Sequence, residues 1–214
     1  MRQRLATRFG PVDKPRRPPL DELVLTILSQ STTDANRNRA WASLRARYPD
    51  WEAVRQAPTE EIEDAVRVAG LAGQKSRAIK SALARLVEER GTPTLAHLAE
   101  LSDEDALAYL AGFEGVGVKT AACVLCFSLR RPVLPVDTHV LRVARRLGWV
   151  GERTAATRAH RELEERVRPG DRFALHLLLI ALGRAVCRAR APRCPQCPLE
   201  ELCPRVGVDD GRDG

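Results

Sequence analysis

Long apolar runs are missing from this 214-residue chain. No stretch can cross a bilayer, and the opening Met1-Arg-Gln-Arg-Leu5 lacks the apolar segment of a secretory signal, so the expected location is the cytoplasm. Alternating apolar and polar residues are missing as well, which argues against a sheet. Aromatic residues make up only 4%. Trp41, Trp51 and Trp149 therefore read as packing residues rather than stacking platforms. Lysine is scarce too. Of 35 basic residues only Lys14, Lys75, Lys80 and Lys119 are lysines, and a lysine kept against such an arginine bias invites a chemical reason. The net charge of +7 suits a polyanionic partner without proving one.

What the chain does have is helical periodicity. Apolar residues recur at helical spacing from Leu20 onward, through Leu23, Val24, Ile27 and Leu28. Similar patterns cover 34–47, 59–69, 75–90, 103–111, 118–130, 136–147, 154–167 and 171–186. Ser102 with Asp105, and Thr59 after Pro58, mark helix starts. The expected class is all-α. Pro11 to Pro19 reads as the end of an extended N-terminal arm, and the polar tail from Val206 to Gly214 as loose chain.

Near the C-terminus stand Cys187, Cys194, Cys197 and Cys203, separated by six, two and five residues. Common zinc patterns use two close pairs far apart, and the ferredoxin run has shorter gaps. Pro192, Pro195, Pro198 and Pro204 interrupt the segment, so it winds rather than forming helix. One [4Fe–4S] cluster, one zinc ion or two disulfides would each use four cysteines, and a reducing compartment favours metal. Cys123 and Cys126 form another C-x-x-C pair, but inside a helical stretch, where they read as small buried hydrophobes.

Between two helical segments lies Gly112-Phe-Glu114-Gly115-Val116-Gly117-Val118-Lys119-Thr120. Gly115 and Gly117 permit a tight turn with close backbone approach, and the helix that follows aims free N–H groups and a positive dipole end at an anion such as phosphate. A plain helix–helix turn has the same pattern. That dipole beside Lys119 disfavours an ammonium and makes a neutral amine, a Schiff-base nucleophile, more available. Eighteen residues on, Asp137 follows Pro132 and Pro135 at the expected N-cap of the next helix. A capping carboxylate stays ionised and could activate an amine or stabilise positive charge. His139 is a candidate phosphate or base contact, or an ordinary helical histidine.

Gly-Val-Gly-x-Lys-Thr-Ala, Val-Asp-Thr-His-Val and the four-cysteine tail, in that order, resemble the endonuclease III family of helix-hairpin-helix DNA glycosylases. The resemblance runs from about Leu20 to Cys203. It implies a six-helix barrel domain with the hairpin over 20–131, and a cluster domain formed by 1–19 with 132–214, its cluster loop at 187–203. DNA would lie across the cleft between them. It further implies Lys119 and Asp137 as catalytic residues, and Cys187, Cys194, Cys197 and Cys203 as ligands of a [4Fe–4S] cluster. The hairpin residues Gly115, Val116, Gly117, Val118 and Thr120 would grip DNA, with His139. Leu71, in Gly70-Leu-Ala-Gly73, would wedge into the duplex. The activity implied is removal of oxidised pyrimidines from double-stranded DNA and cleavage at abasic sites, by a bacterial, nucleoid-associated monomer.

Some residues depart from that pattern. Glu114 stands where the hairpin usually has proline, and Val118 replaces a commonly basic residue. Ser31 occupies the position of a glutamine that fills the gap left by a flipped base, with Gln30 beside it. Arg190 and Arg193 in the cysteine loop are candidate phosphate contacts or solvated surface cations. Two other readings compete: a monofunctional mismatch glycosylase, disfavoured by Lys119 and by the short chain after Cys203, and a non-catalytic iron–sulfur DNA-binding or electron-transfer module.

Overall fold

The computed structural model describes residues 1–208, and all regular structure among them is helical. Asp209–Gly214, the end of the expected loose tail, lies outside the described residues. The α-helices are α1 (Arg2–Phe9), α2 (Pro19–Leu28), α3 (Asp34–Arg47), α4 (Trp51–Gln56), α5 (Thr59–Val66), α6 (Ala72–Arg90), α7 (Asp103–Ala111), α8 (Val118–Ser128), α9 (Thr138–Arg146), α10 (Ala156–Arg166) and α11 (Arg172–Ala185). They fall into two compact units, Arg16–Arg131 and Met1–Pro15 with the segment from Pro132 onward.

Side-chain caps fix several helix starts. Thr33 accepts from Asn36 N at the head of α3, Asp50 from Ala53 N at α4, and Ser102 from Asp105 N at α7. Each satisfies a backbone donor that the helix itself cannot. Asp103, Glu104 and Asp105 add negative charge to the positive end of α7.

In the unit 16–131, α2 and α8 pack together at the centre. α2 buries every residue from Glu22 to Leu28, and α8 every residue from Thr120 to Ser128, including Cys123 and Cys126. Helices apolar on nearly all sides belong inside, surrounded by amphipathic ones. α5 packs on α6 and α3, and α7 on α8. Arg16 donates to Ser128 O at 2.6 Å and Ser128 Oγ to Arg17 O at 2.6 Å, fastening the start of this unit to the end of α8. Trp51 packs 6.0 Å from Trp41 and donates to Asp21 Oδ1.

The other unit is built on α11, against which α9 and α1 pack. Its core joins Leu5, Val140, Val143, Leu163, Leu178, Leu179 and Leu199. Trp149 packs against that core. Two helices were not expected. α1 forms inside the anticipated arm and buries Leu5 completely, so only the stretch after Gly10 is extended. α4 is a single capped turn and a half, too short for periodicity to reveal. Several boundaries also move: the 59–69 stretch tightens into a 3₁₀ turn after Val66, α6 begins at Ala72 rather than residue 75, and α8, α9 and α10 are each a few residues shorter than expected.

Candidate functional site

In the unit 16–131 the hairpin candidates lie in the turn between α7 and α8 and the first turn of α8. Phe113 and Val116 point inward, 4% and 5% exposed, and anchor the turn. Gly115 has φ +71°, and a Cβ there would stand 3.3 Å from Ala78 Cβ, so both conformation and space call for glycine. Gly117 is different. It is extended at φ −92°, and a Cβ would meet nothing within 4 Å, so no neighbour in the fold demands glycine. Open space beside an exposed backbone leaves room for a ligand to approach. No side chain caps α8, and Gly117 O accepts from Ala121 N. The amides of the first turn of α8 thus lack intrahelical acceptors and form an anion-accepting end.

Lys119 lies in that first turn and is half-buried, as is Val118. Thr120 is only 4% exposed, so it and Val116 would meet DNA through backbone rather than side chain. Glu114 is exposed. Gln30, half-buried after α2, donates from Nε2 to Gly115 O at 3.0 Å. This link between the early loop and the hairpin has no sequence signal, because the two residues are 85 apart. Ser31 is exposed with φ +50°. Leu71 has φ +50° and is 54% exposed, an uncommon pairing of left-handed backbone with an open apolar side chain.

Two other lysines of this unit turn inward, Lys75 buried and Lys80 half-buried. Lys75 donates from Nζ to Leu28 O and Ala69 O, and Lys80 to Arg55 O and Ala57 O. Burial pushes both amines below the usual lysine pKa of 10.5.

In the second unit Asp137 caps α9, its Oδ1 accepting from Val140 N at 2.8 Å. The loop ahead of it is held residue by residue. Arg172 donates to Pro132 O. Leu134 N donates to Glu164 Oε1 at 2.7 Å. His160 Nδ1 donates to Leu134 O at 3.0 Å and His176 Nδ1 to Pro135 O at 2.7 Å, roles fixed because a carbonyl can only accept. Sequence reading missed both histidines, which carry no motif. His139 Nδ1 lies 3.1 Å from Arg142 Nη2, a group that can only donate. Gly183 makes room for it: a Cβ there would come within 2.9 Å of His139 Cβ.

Arg142 also donates to Gly183 O and Cys187 O. Burial pulls its guanidinium below the usual pKa. Arg146 donates to Cys187 Sγ at 3.3 Å, Arg188 O at 2.6 Å and Ala189 O at 3.2 Å. These two arginines of α9 fasten the beginning of the cysteine loop. Arg190 and Arg193 are exposed on it.

Cys187, Cys194, Cys197 and Cys203 make no disulfide. All four line one hollow of about 30 Å³, together with Val186, Pro192, Arg146 and Arg205. Four soft sulfur donors on one hollow suit iron–sulfur or zinc chemistry, and the guanidiniums would offset thiolate charge. Burial raises the thiol pKa of Cys197 and Cys203. Among the described residues no three His, Cys, Asp or Glu side chains converge tightly enough to hold a single metal ion. The donor set fits the expected group in its chemistry.

Comparison with known proteins identifies the family. Residues 24–169 match the HhH-GPD superfamily base excision DNA repair protein model. An Arabidopsis thaliana protein named provisionally as a DNA glycosylase is 39% identical over 89% of this chain, which spans 66% of that relative. Endonuclease III of Synechocystis is 36% identical, with 87% of this chain and 81% of the relative covered. A trapped endonuclease III–DNA covalent intermediate superposes with a TM-score of 0.82 at 28% identity, covering 95% of this chain and 92% of the other. A thermostable thymine-DNA glycosylase shares the fold, with a TM-score of 0.79 at 22% identity. No helix among the described residues is long and apolar enough to cross a membrane. The chain belongs to the HhH-GPD superfamily of base excision DNA repair proteins.

Proposed function

We propose that this protein is a bifunctional DNA glycosylase and abasic-site lyase that removes oxidised pyrimidines from duplex DNA, with Lys119 as nucleophile and Asp137 as its helper. The observation that carries the proposal is Lys119 in the uncapped first turn of α8, directly after the Gly115–Gly117 turn. Similarity to endonuclease III, trapped covalently on DNA in one relative, supports it.

The first-turn amides of α8 and the backbone of 115–117 hold a phosphate, giving affinity without sequence information. A damaged base pairs or stacks poorly, so its extrusion costs less than that of a normal one. The Lys119 amine attacks the anomeric carbon; the carbon–nitrogen bond to the base breaks, and the base leaves with that electron pair. Asp137 accepts the amine's proton or steadies the cationic sugar. Ring opening gives an imine between Nζ and the sugar. Loss of a proton from the adjacent carbon then expels the 3′ phosphate and nicks the strand.

Cys187, Cys194, Cys197 and Cys203 would hold a [4Fe–4S] cluster, which when bound cross-links the loop 187–203. The chain's own residues do the rest: Arg142 and Arg146 orient the loop, and Arg190 and Arg193 meet phosphates. The barrel and cluster domains implied by the sequence, and action as a monomer, belong to the same proposal.

Borohydride added to the protein on abasic duplex should yield a covalent adduct, and Lys119→Gln should yield none. Equal trapping of both would refute the assigned nucleophile. A duplex bearing one oxidised thymine should be cut; intact binding without a cut would leave a non-catalytic module.

A further inference from the structure

Lys75 is the largest fully buried side chain among the described residues, 1% exposed. Its Nζ donates to Leu28 O at 2.9 Å and to Ala69 O at 2.8 Å. Its backbone N–H donates to Leu71 O at 3.0 Å. Leu28 is the last residue of α2, and Ala69 the last of the 3₁₀ turn Arg67–Ala69. Carbonyls at helix ends have no partner within the helix, and a buried carbonyl left unpaired is costly. One compact ammonium thus closes two helices, while the same residue's amide makes an ordinary first-turn bond of α6 to its N-cap, Leu71. A guanidinium is planar, wider and less easily fitted between two carbonyls. That is a chemical reason for lysine here in an arginine-rich chain.

The two segments leaving these helix ends have much in common. After Leu28 come Gln30, bonded to Gly115 O, and Ser31 at φ +50°. After Ala69 come Gly70 at φ +68° and Leu71 at φ +50°, 54% exposed. Left-handed backbone at non-glycine residues persists only where the surroundings over-determine it. Exposed leucines are the kind of side chain that proteins insert between base steps to unstack them. Ser31 and Leu71 each lie two or three residues beyond a carbonyl that Lys75 holds.

We infer that Lys75 is a positioning residue for base extrusion: by tying the Leu28 and Ala69 carbonyls to one buried ammonium, it fixes the loop carrying Leu71 relative to the loop carrying Gln30 and Ser31. The inference rests on the glycosylase reading above. It touches neither DNA nor the reacting atoms. Its effect is transmitted entirely through the backbone of the two loops.

The test uses a duplex with 2-aminopurine opposite a tetrahydrofuran site, where intrusion raises fluorescence and no chemistry occurs. The whole protein should give a clear rise. Lys75→Met should bind within about threefold of the parent affinity, yet give a rise about tenfold smaller, because misplacement by about 1 Å is enough to spoil such an action. Borohydride trapping on single-stranded abasic DNA should stay within about threefold of the parent, since no intrusion is needed there. An undiminished rise overturns the assignment. Parallel loss of affinity, rise and single-strand trapping also overturns it, making Lys75 a folding residue only. If Lys75→Met does not fold, Lys75→Arg is measured in its place, alone and combined with Leu71→Ala. The combination should lose no more of the rise than Leu71→Ala alone, and additive losses overturn the inference. No rise from the parent protein on the duplex overturns the glycosylase reading, and this inference with it.

Discussion

Asp137 caps α9 and, in the proposed reaction, assists the nucleophile, two roles that a single substitution can separate. Its Oδ1 caps α9 by accepting from Val140 N, a role asparagine performs about as well. Its negative charge serves the proposed chemistry, and asparagine lacks that. Asp137→Asn should therefore unfold at close to the parent urea midpoint while slowing single-turnover base release by about a hundredfold. Asp137→Ala should lose the same activity and, in addition, about 1 kcal/mol of stability from the missing cap. If Asn were as active as Asp, the carboxylate would be a cap and nothing more. At this scale the sequence spoke clearly where chemistry is local. The N-cap role of Asp137 could be read from the prolines before it, and the first-turn position of Lys119 from the glycines before it. It was silent where the partner is distant. Nothing near Gln30 announces Gly115 as its acceptor, and nothing near Lys75 announces Leu28. Scarcity of lysine was the one available hint. Two of the four lysines turn out to hold pairs of backbone carbonyls.

Among the elements, α1 is the instructive one. Eight residues, three of them arginine, form a helix too short to be stable alone in water. It exists because Leu5 is completely buried in the core that α9 and α11 share. Arg2 meets Asp171 at 3.1 Å and Arg4 meets Glu201 at 2.8 Å, but both pairs are exposed enough to add little. Leu5→Ala should cost about 2–5 kcal/mol in urea unfolding and open the Arg2–Arg8 bonds to trypsin under native conditions. Protection equal to the parent's would show that the ion pairs hold α1. This helix was illegible because it offers the core only Leu5, Ala6 and Phe9 over little more than two turns, too few to stand out as a period. The long helices α6, α8 and α11 were legible because their apolar faces repeat over several turns. Their exact ends were not, since Leu71 in left-handed backbone starts α6 without any capping side chain.

At the scale of the whole molecule the +7 charge becomes a measurable quantity. Each phosphate neutralised contributes a slope of about −0.9 to the dependence of log affinity on log salt. Arg190→Ala and Arg193→Ala, both on exposed residues of the cysteine loop, should each flatten that slope by about one phosphate. A slope unchanged in both variants would mark them as solvated cations. The all-helical class was readable from periodicity alone. The family was readable only from three short motifs taken together, because fold by itself hosts many activities.

The segment before Asp137 carries one last implication. Its carbonyls and amides are gripped by His160, Glu164, Arg172 and His176, none of which belongs to any signature of the family quoted above. The address of the carboxylate is thus written mostly in α10 and α11, not in the Val-Asp-Thr stretch itself. A designer grafting that short stretch onto another helical scaffold would transplant the letterhead and leave the postcode behind.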